Sequence, residues 1–171
     1  KGIDVLLEAL NEIMARDVGV VILGTGQEEF ERALREAGEI YRSRLFVDLT
    51  YSDERAHLIE AGADLFLMPS RFEPCGLNQM YSQIYGTPPI VHAVGGLKDT
   101  VRDPEESDLP TGFKMYTLDR HSLLQVIDRA IDRFEAEDLF KNMVINGMNC
   151  DFSWTESAKK YISMYETLFV Q

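Results

Sequence analysis

Cysteine is scarce in this chain. Cys75 and Cys150 are the whole complement, too few for a disulfide framework and without the spacing of a zinc site, so a reducing compartment is expected. Histidine is scarcer than its uses would need: His57, His92 and His121 are far apart in sequence and form no metal-binding pair, so no metal is expected. Positive charge is in short supply as well. Lys and Arg total 17 against 29 Asp and Glu, a net charge of -12, which argues against nucleic acid or anionic lipid as a partner. Any anionic ligand must therefore be held by local geometry. No apolar run reaches the roughly 20 residues needed to cross a bilayer, and the opening KGIDVLLEAL lacks the organisation of a signal peptide. The expected location is the cytoplasm.

What the chain does contain is alternation. Ile3, Leu6, Leu7, Leu10, Ile13 and Met14 recur at helical spacing, predicting an amphipathic helix that ends near Asp17. A β-branched run over Val20 to Leu23 closes on Gly24-Thr25-Gly26, and Phe30, Ala33, Leu34 and Ala37 resume the helical period. The cycle repeats with strands over 45–49, 64–68 and 89–92 and helices over 53–61 and 76–85. Asp53 is the expected cap of the first of these helices, and a Gly-Gly loop follows the strand at 89–92. Strands alternating with helices imply a Rossmann-like, three-layer α/β domain whose parallel sheet is covered on both faces. An acid- and proline-rich loop, DPEESDLPTGF, leads to a short apolar piece at 113–116 and then to helices over 119–134, 136–148 and 153–170, with Asp119 and Ser153 as caps. At 171 residues a single domain is expected. Because Lys1 and Gly2 open straight onto a helical pattern, we expect a fragment of a longer protein.

In open α/β sheets, ligands bind beyond the carboxyl ends of the strands. Three segments reach that edge with unusual chemistry: Gly24-Thr25-Gly26, the loop in MPSRFEPCGLNQ, and Val94-Gly95-Gly96. The first is weak, since glycine there also serves the turn's dihedrals. The second is stronger. Gly76 permits close backbone approach, and the amides of Leu77 and Asn78, opening a helix, are unpaired and form an anion site that needs no basic side chain. Glu73 is placed to hydrogen-bond a polyol, against the alternative of a solvated carboxylate. Cys75 has no His partner nearby and reads as a small buried residue rather than a nucleophile. Lys1 and Lys98 are the cations considered for phosphate. Arg71 reads as pairing with an acid to structure the loop. Tyr51, after a strand at the same edge, offers a face to a nucleobase, although packing is the reading its position alone favours.

Together these segments resemble the bacterial glycogen synthase and plant starch synthase family, retaining glucosyltransferases of the GT-B fold. The resemblance runs through KGIDVLLEAL, VILGTG, AGADLFLMPSRFEPCGLNQMYSQIYGTPPIVHAVGGLKDTV and Phe152-Ser153-Trp154. It implies the C-terminal, nucleotide-holding domain of an enzyme that moves glucose from ADP-glucose to the non-reducing end of an α-1,4-glucan with retention of configuration. The acceptor would sit in an N-terminal domain outside this sequence, so the fragment would bind ADP and be inactive alone. On this resemblance Lys1 would contact the diphosphate, Glu73 the donor sugar, and Gly24 with Cys75, Gly76, Leu77 and Asn78 the sugar and phosphates. Tyr51 would pack on adenine. Tyr81 occupies the position where the wider GT-B group often has a ribose-binding glutamate, a difference that glycogen synthases of this type share. The resemblance also implies a front-face displacement without metal, and a plastid location if the source is a plant. The apolar face of the last helix, Tyr161, Met164, Tyr165 and Leu168, is expected to promote self-association. The alternatives are a UDP-sugar-dependent GT-B domain, and a non-catalytic glycan- or partner-binding Rossmann-like module.

Overall fold

The structure is a computed structural model that describes residues 1–169. Five strands, β1 (Val20–Leu23), β2 (Leu45–Asp48), β3 (Phe66–Met68), β4 (Pro89–His92) and β5 (Phe113–Met115), alternate with helices. These are α1 (Ile3–Met14), α2 (Glu28–Ile40), α3 (Asp53–Gly62), α4 (Asn78–Tyr85) and α5 (Gly95–Thr100), followed by α6 (Arg120–Glu135), α7 (Glu137–Met148) and α8 (Trp154–Phe169). Every strand pair is parallel, as the alternation predicts. Val170, the end of the last predicted helix, lies outside the described residues.

The strands hydrogen-bond in two ladders rather than one sheet, β1–β2 and β3–β4–β5. The ladders are joined through side chains. Ile90, Phe113 and Met115 from one pack in a single cluster with Val5, Leu6, Ala9 and Ile13 of α1 and Leu123, Val126 and Ala130 of α6, and Val20 and Ile22 of the other ladder close on it. Val91, Leu97 and Phe113 are almost wholly buried, each contributing roughly 1.5–3 kcal/mol through removal of apolar surface from water. A second cluster seats Leu10 and Met14 of α1 on Leu45 of β2. The expectation of a sheet covered on both faces fails at β1–β2. Val21 and Phe46 are register partners, yet they are 51% and 62% exposed on the face away from α1.

Three local expectations are corrected. The helix predicted from Gly76 begins at Asn78, because Gly76 adopts φ +74 and Leu77 serves as its N-cap. Ser52, not Asp53, caps α3, its Oγ accepting from the Arg55 amide at 3.3 Å. The Gly-Gly loop is the start of a short helix, α5. Asp119 does cap α6, accepting from the Ser122 amide at 2.8 Å.

Candidate functional site

The carboxyl end of β3 leads into Pro69 and Ser70, both buried, and then into an exposed loop that turns into α4. Four contacts from distant parts of the chain hold this loop. Gly2, at φ +77, lies so close to Pro69 that an added Cβ would overlap the Pro69 carbonyl. Arg71 pairs with Asp4 of α1, and the Arg71 guanidinium holds the Asp4 carboxyl below the usual carboxylate range. This bears out the structural reading of Arg71. His92 Nδ1, at the end of β4, lies 2.8 Å from the Ser70 carbonyl. Finally, Gly95 and Gly96 press against the loop backbone, where Cβ atoms would overlap the carbonyls of Glu73 and Cys75; the Gly96 amide donates to Glu73 O and Pro74 O, both at 3.2 Å.

The Val94-Gly95-Gly96 segment is therefore a platform beneath the loop. Its glycines are required by that close approach, a cause invisible in the local sequence.

Glu73 is the one carboxylate of the loop, its side chain 12% exposed, and it is paired with the Lys1 ammonium. Ser70 Oγ lies 3.3 Å from the same Glu73 oxygen. An ammonium has three donors, so one bond to Glu73 leaves Lys1 able to reach an anion beside it. Lys98 is exposed on α5. Cys75 is exposed and its Sγ lies 3.5 Å from the Gly76 carbonyl, which overturns the expectation that it is a buried packing residue.

At the end of the loop, α4 opens without a side-chain cap and without an acid in its first turn. The first amides to find backbone acceptors are those of Met80 and Tyr81, both donating to Leu77 O, at 2.9 and 3.0 Å. The preceding amides of Leu77 and Asn78 carry the partial positive charge of the helix end. The turn is braced from within by Gln79, which is fully buried. Its Nε2 donates to the carbonyls of Cys75 (3.1 Å) and Gly76 (3.0 Å) and to Thr100 Oγ1 (3.2 Å).

Tyr51 stands on the turn between β2 and α3 and is 85% exposed, so the packing alternative does not hold. Its turn is rigid. Thr50 Oγ1 donates to Asp48 at 2.7 Å, Arg55 pairs with the other Asp48 oxygen, and the Thr50 hydroxyl, followed by Arg55, holds the Asp48 carboxyl below its ordinary range. Tyr81, on α4, is 37% exposed and lies 5.3 Å from His57 by ring centroids; His57 Nδ1 is also 3.1 Å from the Tyr85 hydroxyl. Gly24 sits at φ +147 with nothing within 4 Å of an added Cβ. In the same turn the Gly26 amide is occupied, donating to Glu31 Oε1 at 2.9 Å.

Sequence reasoning missed the bracing residues Ser70, Gln79 and Glu60. Glu60 is 2% exposed and accepts from Asn78 Nδ2 at 2.6 Å. Their one sequence signal is polarity at positions that a helical or strand period assigns to the interior. No group of three potential metal ligands occurs among the described residues, and none of the described helices is long and apolar enough to cross a membrane.

A parallel α/β frame with a carboxylate, a lysine and an open helix end gathered at one strand edge defines a group-transfer or nucleotide-binding class of domain. Residues 1–147 match the family described as glycosyl transferases group 1, and the chain belongs to that family. Among curated proteins it is 49% identical to the glycogen synthase of Hydrogenovibrio crunogenus, over 98% of this chain and 35% of that protein. It is 46% identical to the glycogen synthase of Desulfitobacterium hafniense, over 99% of this chain and 37% of that protein. The chain thus spans about a third of the length of the relatives it matches. Among solved structures it resembles the catalytic domain of starch synthase IV from Arabidopsis thaliana bound to ADP and acarbose, with a TM-score of 0.86, 30% identity, and coverage of 98% of this chain and 36% of that one. Sucrose-phosphate synthase from Thermosynechococcus elongatus matches with a TM-score of 0.68 at 28% identity, over 99% of this chain and 42% of that one.

Proposed function

We propose that this chain is the nucleotide-sugar-holding, C-terminal part of a glycogen or starch synthase, and that the complete enzyme transfers glucose from ADP-glucose to the non-reducing end of an α-1,4-glucan. The observation that carries the reading is the pairing of Glu73 with Lys1 beside the uncapped end of α4. That arrangement occurs in a chain 46–49% identical to glycogen synthases and similar in fold to a starch synthase bound to ADP. The diphosphate docks on the Leu77 and Asn78 amides and on Lys1. Glu73 hydrogen-bonds the glucosyl hydroxyls, Cys75 and Gly76 present backbone groups to the sugar, and Tyr51 stacks on adenine. Gly24 leaves open space along the facing turn, and Tyr81 lines the ribose side.

Transfer proceeds with retention of configuration. The C1–O bond to the diphosphate breaks, its electron pair leaving with the diphosphate oxygen, while the acceptor hydroxyl oxygen bonds to C1 from the same face and its proton passes to that departing oxygen. Charge building on the departing diphosphate is met by the helix amides and Lys1, fixed groups that need no reorganisation. No metal is required for this neutralisation, so transfer is expected to persist in a chelator. The acceptor glucan is held by residues outside this sequence, and the chain alone binds ADP without turnover. The enzyme acts in the cytoplasm, or in a plastid if the source is a plant. The exposed Tyr161, Met164, Tyr165 and Leu168 of α8 promote self-association of the isolated chain, detectable as a concentration-dependent mass in light scattering.

Titration calorimetry with ADP and UDP tests the reading. Binding of ADP in preference to UDP is expected; UDP preference would move the chain to the UDP-sugar enzymes, and no nucleotide binding would leave a non-catalytic module.

A further inference from the structure

α4 is tied to α3 by one buried carboxylate. Glu60 lies near the end of α3 and is 2% exposed. Its Oε1 accepts from the Nδ2 of Asn78, the first residue of α4, at 2.6 Å. Its Oε2 is buried and has no hydrogen-bond partner among the described residues. The groups facing it are few: His57 Nδ1 is 4.0 Å from Oε2, Asp53 lies one helical turn further along α3, and the hydroxyl of Tyr85 on α4 is bonded to His57. Thr87, just after α4, closes the same junction by donating to the Glu60 carbonyl at 2.6 Å and the Ala63 carbonyl at 3.1 Å. Burial raises the Glu60 carboxyl above its ordinary range, with the Asn78 bond and His57 opposing.

A polar group so enclosed costs stability unless it returns something. An apolar residue would fill the space between α3 and α4 without leaving an oxygen unpaired. What Glu60 supplies instead is direction. By binding the Asn78 side chain, it ties the first residue of α4 to α3 and fixes the rotation of the first turn of α4. α3 is also the helix that follows Tyr51, so the junction links the turn bearing the exposed aromatic ring to the one bearing the open amides.

We propose that Glu60 is a positioning residue for nucleotide binding, acting through Asn78 to hold the first turn of α4 open and aligned with the Tyr51 turn. The inference rests on the reading that those amides receive a diphosphate.

The test is ADP titration of this chain carrying Glu60→Met, Asn78→Ala, both together, or Glu60→Gln, with thermal melting of each. Glu60→Met removes the acceptor at similar volume, and Asn78→Ala removes the donor from an exposed position. Each is expected to weaken ADP binding about tenfold, with the double substitution no weaker than the worse single one, the behaviour of two residues acting as one contact. Glu60→Gln keeps an acceptor oxygen and is expected to restore most of the affinity lost in Glu60→Met. If the melting temperatures fall while ADP affinity stays unchanged in Asn78→Ala and Glu60→Met, the junction is only structural and the proposal is overturned. If the unsubstituted chain binds no ADP, the parent reading falls and this one with it.

Discussion

Two strand-turn-helix units, one in each ladder, treat their helix ends in opposite ways. At α2 the first turn carries Glu28, Glu29 and Glu31, and Glu31 accepts from the Gly26 amide. At α4 the first turn carries no acid and no side chain caps it; the Asn78 amide side chain donates to Glu60, and that of Gln79 donates to the carbonyls of Cys75 and Gly76. The macrodipole is similar in kind at both ends. The difference lies in what surrounds it, and it teaches that a glycine-bearing turn before a helix is an anion site only when the chain refrains from filling it with its own carboxylates.

The largest expected effect comes from removing Glu73, the acid of the proposed donor site. In the complete enzyme, Glu73→Gln should lower turnover by a factor on the order of 10² to 10³, the scale of losing one preorganised polar contact to a transition state, while the melting temperature stays near that of the parent. Turnover left intact would mean that the loop is kept for folding only. Next is the platform under the loop. A methyl group at Gly96 would overlap the Cys75 carbonyl, so Gly96→Ala should cost about 1–3 kcal/mol in denaturant unfolding and weaken ADP binding as the loop shifts.

The platform also shows where sequence reading stops. The period-3.6 pattern of α1 and the β-branched run of β1 are local; β1 falls where the run places it, and α1 stops at Met14, short of the expected end near Asp17. VGGLKDT reads as a loop because glycine breaks helices. Its glycines answer instead to the carbonyls of Glu73 and Cys75, some twenty residues away, and no local window contains that cause. The site divides in the same way. Glu73 and the Gly76 turn are legible because Pro, Cys and Gly interrupt an apolar run. Glu60 and Gln79 are not, since a polar residue in a helix looks solvated until its neighbours are known. Lys1 enters the candidate site through the family resemblance, and its pairing with Glu73, 72 positions away, is seen only in the structure.

A third substitution probes the aromatic wall. Tyr51→Ala should weaken ADP binding by about 1–3 kcal/mol, the range for a base stacked on an aromatic ring, without changing stability, because the ring is 85% exposed. Calorimetry showing equal affinity would remove Tyr51 from the site. The smallest effects come from the closed end and the buried junction. Glu31→Ala should free the Gly26 amide at a cost of about 0.5–1 kcal/mol, the net worth of one exposed hydrogen bond, and leave ADP affinity unchanged; a gain in affinity would show that both helix ends serve the ligand.

Glu60 sets a pH dependence of folding. Its carboxyl is raised in the folded state by burial, so the folded form binds its proton more tightly than the unfolded form does. Its stabilising contribution is full below the ordinary glutamate range and is lost as pH rises through the raised folded value. Chemical denaturation across that window should show stability falling with pH, and Glu60→Gln should flatten this part of the profile. An unchanged profile would mean that Glu60 does not titrate differently on folding.

The most direct measurement is a crystal structure of the chain soaked with ADP. The account predicts a phosphate oxygen within hydrogen-bonding distance of the Leu77 and Asn78 amides, with adenine over Tyr51 and the Gly26 amide still held by Glu31. A diphosphate seated at the α2 turn or elsewhere, with the end of α4 filled by the protein's own side chains, would contradict it.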